Sequence, residues 1–137
     1  MSSLFNKKKT KQDNHVLIVD DNKYAALALQ ELLGKDGYDV DVAYDGETAL
    51  IMARDADPDV IVLDIKLPGK SGYDVARILK QELHSSALLI ALTGLYGRAE
   101  DKRKAREAGF DHHLIKPILT SEIEELIDAP RTPVESK

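Results

Sequence analysis

Pro58-Asp59-Val60-Ile61-Val62-Leu63-Asp64 carries an uninterrupted aliphatic run, Val60 to Leu63, that stops at a carboxylate. Such a run, with no polar alternation, reads as a strand covered on both faces, as in a parallel sheet packed between helices. Asp64 then stands at the strand's carboxyl end. Three other stretches repeat the pattern: Val16-Leu17-Ile18-Val19 ends at Asp20-Asp21, Leu88-Leu89-Ile90-Ala91-Leu92 at Thr93, and Leu114-Ile115 at Lys116. In open α/β sheets the carboxyl ends of parallel strands line one crevice, where ligands bind. Three carboxylates, a hydroxyl and an ammonium are therefore expected on a single edge.

Working outward, the segments between these runs have helical spacing. Ala25, Ala28, Leu29, Leu32 and Leu33 predict a helix over 22–36, with Gly37 as its stop. Val40 and Val42 alternate with Asp39 and Asp41, the period-two pattern of a half-exposed strand near a sheet edge. Asp45-Gly46-Glu47 opens a second helix with Ala49, Leu50 and Ala53 as its stripe. After Asp64, Ile65-Lys66-Leu67-Pro68-Gly69-Lys70-Ser71-Gly72 is loop chemistry, and Val75, Ala76, Ile78 and Leu79 predict a third helix over 73–83. A highly charged, weakly amphipathic helix is expected over 97–108, a last strand over 111–115, and a final helix over 119–128 carrying Ile123, Leu126 and Ile127. Strands and helices thus alternate five times, which favours a doubly wound α/β sandwich in one domain.

Composition narrows the function. The 137 residues suit one core, with residues 1–13 as a basic leader, 14–128 as the domain and 129–137 as a tail. No cysteine is present, so disulfides, thiolate metal sites and cysteine nucleophiles are excluded. The lysines of the leader are followed by no apolar h-region, and no stretch reaches the ~18 apolar residues of a membrane span, so a cytoplasmic protein without membrane contact is expected. Net charge is −5, which argues against nucleic acid as a partner; the cluster from Lys7 to Lys11 reads as a solvated tail.

Asp20, Asp21 and Asp64 crowded on one edge repel, raising at least one pKa unless a cation sits among them. Oxygen-only ligands suit Mg²⁺, which typically uses one or two carboxylates and keeps several waters. An ion held there also binds phosphoryl oxygens, to which Thr93 adds a hydrogen bond and Lys116 a positive charge. A carboxylate can itself be the nucleophile in phosphoryl transfer, giving an aspartyl phosphate. Singly, each residue has a structural reading: Asp20 as helix N-cap, Asp64 as strand terminator, Thr93 as β-former, Lys116 as solvated charge. Jointly, five of them at the ends of four apolar runs point to a phosphate site.

Asp20-Asp21 after strand one, Asp64 after strand three, Thr93-Gly94 after strand four and Lys116-Pro117 after strand five resemble the receiver domains of two-component response regulators, over residues 14 to 128. The resemblance implies a flavodoxin-like fold, a five-stranded parallel sheet in order 2-1-3-4-5 with five helices. It implies that Asp64 accepts a phosphoryl group from a phosphohistidine on a sensor histidine kinase or histidine phosphotransfer protein. Mg²⁺ would be held by Asp21, Asp64 and the backbone carbonyl of Lys66, with Asp20 assisting through water. Lys116 would pair with the phosphoryl oxygens, Thr93 would swing toward them, and the Lys116-Pro117 bond would be cis, a constraint on the loop and a candidate slow step in folding. Output would pass to a downstream protein through the face of the fourth helix, fifth strand and fifth helix. Outside the domain too few residues remain for a DNA-binding module, and a stand-alone receiver is expected, in keeping with Met1 as an initiator. The run Ala91 to Lys116, with Gly109-Phe110-Asp111-His112-His113-Leu114, also resembles receivers attached to hybrid histidine kinases.

Two positions depart from the family's pattern. Receivers commonly carry tyrosine or phenylalanine three positions before the lysine, where this chain has His113. With an unperturbed pKa of ~6.5 it would make switching pH-sensitive, or it is a strand histidine with no signalling role. Lys66, two positions after the acceptor, either stabilises the phosphoryl charge, obstructs attacking water, or is an inert surface lysine. Adjacent strand residues point to opposite faces, so His112-His113 is a poor metal pair. A haloacid dehalogenase-type phosphatase would need an acid where Lys66 stands, and no glycine-rich phosphate loop follows strand one, so neither an enzyme nor a nucleotide binder is expected.

Overall fold

The computed structural model describes residues 14–94 and 99–129. In chain order the elements are β1 (His15–Val19), α1 (Lys23–Lys35), β2 (Asp39–Ala43), α2 (Gly46–Ala56), β3 (Val60–Asp64), α3 (Gly72–Gln81), β4 (Leu88–Thr93), α4 (Ala99–Ala108), β5 (His112–Ile115) and α5 (Thr120–Asp128). The strands form one parallel sheet in the order β2-β1-β3-β4-β5. Fold class and strand order are those expected from the sequence. The leader, the tail beyond Ala129 and the expected start of the fourth helix at Gly97 lie outside the described residues.

Alternate residues of β1, β3 and β4 feed opposite cores, which is why these runs show no polar alternation. Leu17, Val19, Ile61, Leu63, Leu89 and Ala91 pack with Ala49 and Ala53 of α2, Val75, Ala76 and Leu79 of α3, and Ala105 and Ala108 of α4. Val16, Ile18, Val62, Ile90 and Leu92 pack on the other face with Ala26, Leu29 and Leu33 of α1 and Ile123 of α5. Each fully buried Leu or Ile contributes about 1.5–3 kcal/mol of transfer free energy, so the central strands hold the sandwich together.

One helix faces the sheet differently than expected. Spacings of three and four fit two overlapping stripes on α1, and the stripe chosen is Ala26, Leu29 and Leu33. Ala28 is exposed, and Leu32 stays 48% exposed. Local chemistry sets the helix ends. Asn22 Oδ1 accepts from Ala25 N–H (3.1 Å), Asp45 Oδ1 from Thr48 N–H (2.8 Å), and Ser71 Oγ from Asp74 N–H (3.2 Å), each meeting one orphan donor of a first turn. Gly37, at φ 104°, takes the left-handed turn that ends α1.

Candidate functional site

The sheet's topological switch point lies between β1 and β3, since the chain goes from β1 outward to β2 and then returns to β3 on the other side of β1. Asp20 follows β1 and Asp64 ends β3, so these two carboxylates meet at that crevice. Asp20, Asp21 and Asp64 each offer an oxygen within 4.8 Å of the others; Asp20 and Asp64 are buried and Asp21 is exposed. β4 and β5 complete the edge, where Thr93 closes β4 and Lys116 follows β5. Together with the Ile65–Pro68 loop, Tyr73 and Gly94, these residues, apart from the deeply buried Asp20, line an open cleft of about 710 Å³. All five expected residues are brought to one edge.

Hydrogen bonds hold the side chains of Asp20, Asp64, Thr93 and Lys116. Asp20 N–H donates to the Ala43 carbonyl (3.1 Å), and Asp20 Oδ1 accepts from Asn22 N–H (3.0 Å). Asn22, not Asp20, is the N-cap of α1, which leaves the second oxygen of Asp20 facing Lys116 Nζ at 3.3 Å. Asp64 Oδ1 accepts from Lys66 N–H (3.0 Å), and Asp64 Oδ2 accepts from Lys116 Nζ (2.7 Å). Thr93 Oγ donates a long bond of 3.4 Å to the Leu114 carbonyl, while Lys116 N–H donates to the Thr93 carbonyl (2.9 Å). The Lys116-Pro117 bond is cis. The Lys66 side chain is exposed at the cleft wall.

Burial pushes the Asp64 carboxyl above the ordinary carboxylate range; the hydrogen bond and charge of Lys116 and the Lys66 N–H oppose the rise, and Asp20 adds to it. Burial alone would depress the Lys116 ammonium, but its hydrogen bond to Asp64 and the charges of Asp64 and Asp20 lift it above its usual value. Three carboxylates against one ammonium leave the cleft with negative charge to spare. An all-oxygen donor set with that residual charge fits a hard divalent cation such as Mg²⁺.

Gly72 was legible in the sequence as loop punctuation and nothing more. A Cβ there would overlap the Asp64 carbonyl oxygen and stand 2.7 Å from Ile65 Cα, and Gly72 N–H donates to the Ile65 carbonyl (2.8 Å). The first turn of α3 therefore rests directly on the backbone of the candidate acceptor. His113 does not reach this cleft. It lies in β5 beside α4, in a separate cleft of about 80 Å³ lined by Lys102, Arg106 and Phe110 among others.

Residues 16–128 match the response regulator receiver domain family. The receiver domain of a Francisella response regulator is 30% identical, with 83% of this chain and 93% of that one covered at a TM-score of 0.76. A CheY-like response regulator receiver domain protein from Methanospirillum hungatei is 26% identical, with 83% and 90% covered at 0.77. The chemotaxis response regulator CheY4 of Vibrio cholerae is 25% identical, with 83% and 95% covered at 0.76.

Proposed function

The chain belongs to the family of response regulator receiver domains, and from that premise we propose that Asp64 takes a phosphoryl group from a phosphohistidine on a sensor histidine kinase or histidine phosphotransfer protein. The observation that carries the reading is the convergence of Asp20, Asp21, Asp64, Thr93 and Lys116 on one strand-end edge, with Lys116 2.7 Å from the acceptor oxygen. A carboxylate oxygen of Asp64 forms the new O–P bond as the P–N bond to the donor imidazole breaks, and the imidazole leaves with that electron pair.

This chain's own residues prepare that exchange. Lys66 N–H holds one Asp64 oxygen, so the carboxylate presents a fixed face. Lys116 favours the ionised form of the buried carboxyl against the effect of burial and is placed to meet the negative charge of the entering group. Asp21, Asp64 and the Lys66 carbonyl would hold Mg²⁺, with Asp20 assisting through water, and the bound ion would supply a Lewis acid that screens carboxylate from phosphoryl oxygens. The 3.4 Å bond from Thr93 to Leu114 is weak and readily exchanged for one to a phosphoryl oxygen. Its release frees a carbonyl of β5, linking the acceptor to the α4–β5–α5 face and to a downstream protein target there.

In this reading the protein is a cytoplasmic switch, and its catalysis is confined to its own phosphorylation and dephosphorylation. Incubation with Mg²⁺ and acetyl phosphate is expected to add one phosphate to the intact mass, and Asp64→Ala to abolish the adduct. An adduct that persists in Asp64→Ala, or none from acetyl phosphate and none from a histidine kinase, would overturn it.

A further inference from the structure

The charges along α4 are not all matched. Arg103 pairs with Glu107 at 3.5 Å. Lys102 and Arg106, one turn apart and so on the same side of the helix, have no acidic partner among the described residues. Both turn toward β5, where with His113 they surround the cleft of about 80 Å³ over the buried ring of Phe110. Asp111 is the acid of that lining, and its carboxylate is held by the backbone of β4, accepting from Leu89 N–H at 2.8 Å. His112 adds a further imidazole, and β4 sets the apolar Ala91 opposite His113. Burial pushes the His113 imidazole below its ordinary range, and the charges of Lys102 and Arg106 push it further.

We propose that this cleft seats a carboxylate side chain of an acidic segment on the downstream protein, clamped by Lys102, Arg106 and His113. The inference rests on the receiver reading, which makes this face the output surface, and adds the chemistry of the partner. The cleft is on the scale of one carboxylate group, and the arginine fork matches carboxylate geometry. Nucleic acid is a poorer occupant, because an extended polyanion would be repelled by a chain of net charge −5. Once seated, the carboxylate supplies the negative charge that His113 lacks, so the imidazole takes up a proton on binding and affinity rises as pH falls through the imidazole range.

The test uses the full chain, a fluorescein-labelled hexaglutamate peptide and the ring signals of labelled histidine. Peptide is expected to bind and to move the His113 titration upward. Lys102→Ala/Arg106→Ala is expected to weaken binding about tenfold, whereas the charge-matched Arg103→Ala/Lys104→Ala changes it by less than about threefold. Equal loss in the two double variants, or a His113 titration unmoved by saturating peptide, overturns the seat. Inorganic phosphate that shifts His113 as far as peptide does at equal concentration would assign the seat to a free anion. Single-stranded DNA that displaces the peptide at lower concentration would assign it to nucleic acid. Acetyl phosphate labelling of the same proteins separates the two readings. A protein that takes the adduct and ignores the peptide loses the seat and keeps the receiver assignment, and the reverse result does the opposite.

Discussion

The cleft at Asp64, on the carboxyl-end edge of the sheet, and the cleft at His113, between β5 and α4, each gather titratable groups around a recess, but with opposite residual charge. At Asp64, three carboxylates surround one ammonium, and the lysine answers two of them at 2.7 and 3.3 Å. At His113, two cations flank an imidazole while the nearby Asp111 is occupied with the β4 backbone. The first arrangement is short of positive charge and fits a cation followed by a phosphoryl group. The second is short of negative charge and fits an anion. Residual charge after internal pairing, more than the identity of any one residue, indicates what each recess takes.

Removing the one internal counter-charge tests the first half of that contrast most severely. Lys116→Met leaves Asp64 and Asp20 buried and unanswered, and stability in urea is expected to fall by roughly 1–3 kcal/mol. That is below the ~3–5 kcal/mol of a fully buried pair, because the lysine side chain is 35% exposed. Mg²⁺ is expected to raise the unfolding midpoint of this variant more than that of the wild type, and EDTA to reverse the gain. Equal Mg²⁺ responses would show that the carboxylates are not competing for positive charge.

The backbone on the acceptor side is held by the close approach of α3, and two glycines, Gly69 in the preceding loop and Gly72 opening α3, separate conformation from fit. Gly72→Ala drives a methyl into the Asp64 carbonyl and is expected to cost about 1–3 kcal/mol, with slower phosphoryl uptake because the acceptor strand end must shift. Gly69 has φ 76° with open space around it, so Gly69→Ala is expected to cost about 1 kcal/mol through backbone strain and to leave uptake unchanged. Equal effects on uptake would remove the claim that α3 positions Asp64.

Much of the acceptor side was legible in the sequence because its information is local: an apolar run fixes a strand, and the next residue falls at the crevice by topology. Asp20, Asp64, Thr93 and Lys116 needed no knowledge of packing to be brought together. The rotation of α1 was not legible, since Ala25, Ala28, Leu29, Leu32 and Leu33 satisfy one helical stripe and Ala26, Leu29 and Leu33 another, and the sheet selects between them. Nor was the contact beneath Gly72, which depends on how close α3 approaches β3. His113 could be singled out, but not its neighbours: Lys102 and Arg106 belong to another element, and their approach is set by the burial of Ala105, Ala108 and Phe110.

The smallest expected effect probes the cationic side through pH. Burial and the charges of Lys102 and Arg106 hold the folded-state pKa of His113 below that of the unfolded chain, ~6.5. As pH falls below that value the unfolded chain binds the proton first, so it carries more protons than the folded protein and stability declines. The contribution is present above the unfolded pKa and is lost as pH drops toward the folded one. His113→Phe removes this titration while the other histidines are retained, so its stability is expected to fall less than that of the wild type on acidification from about pH 7 to 5. Lys102→Ala/Arg106→Ala should narrow the same difference without abolishing it, because burial remains. Parallel acid profiles for wild type and His113→Phe would mean that neither burial nor the two cations depress the imidazole, and the contrast between the clefts would then rest on geometry alone.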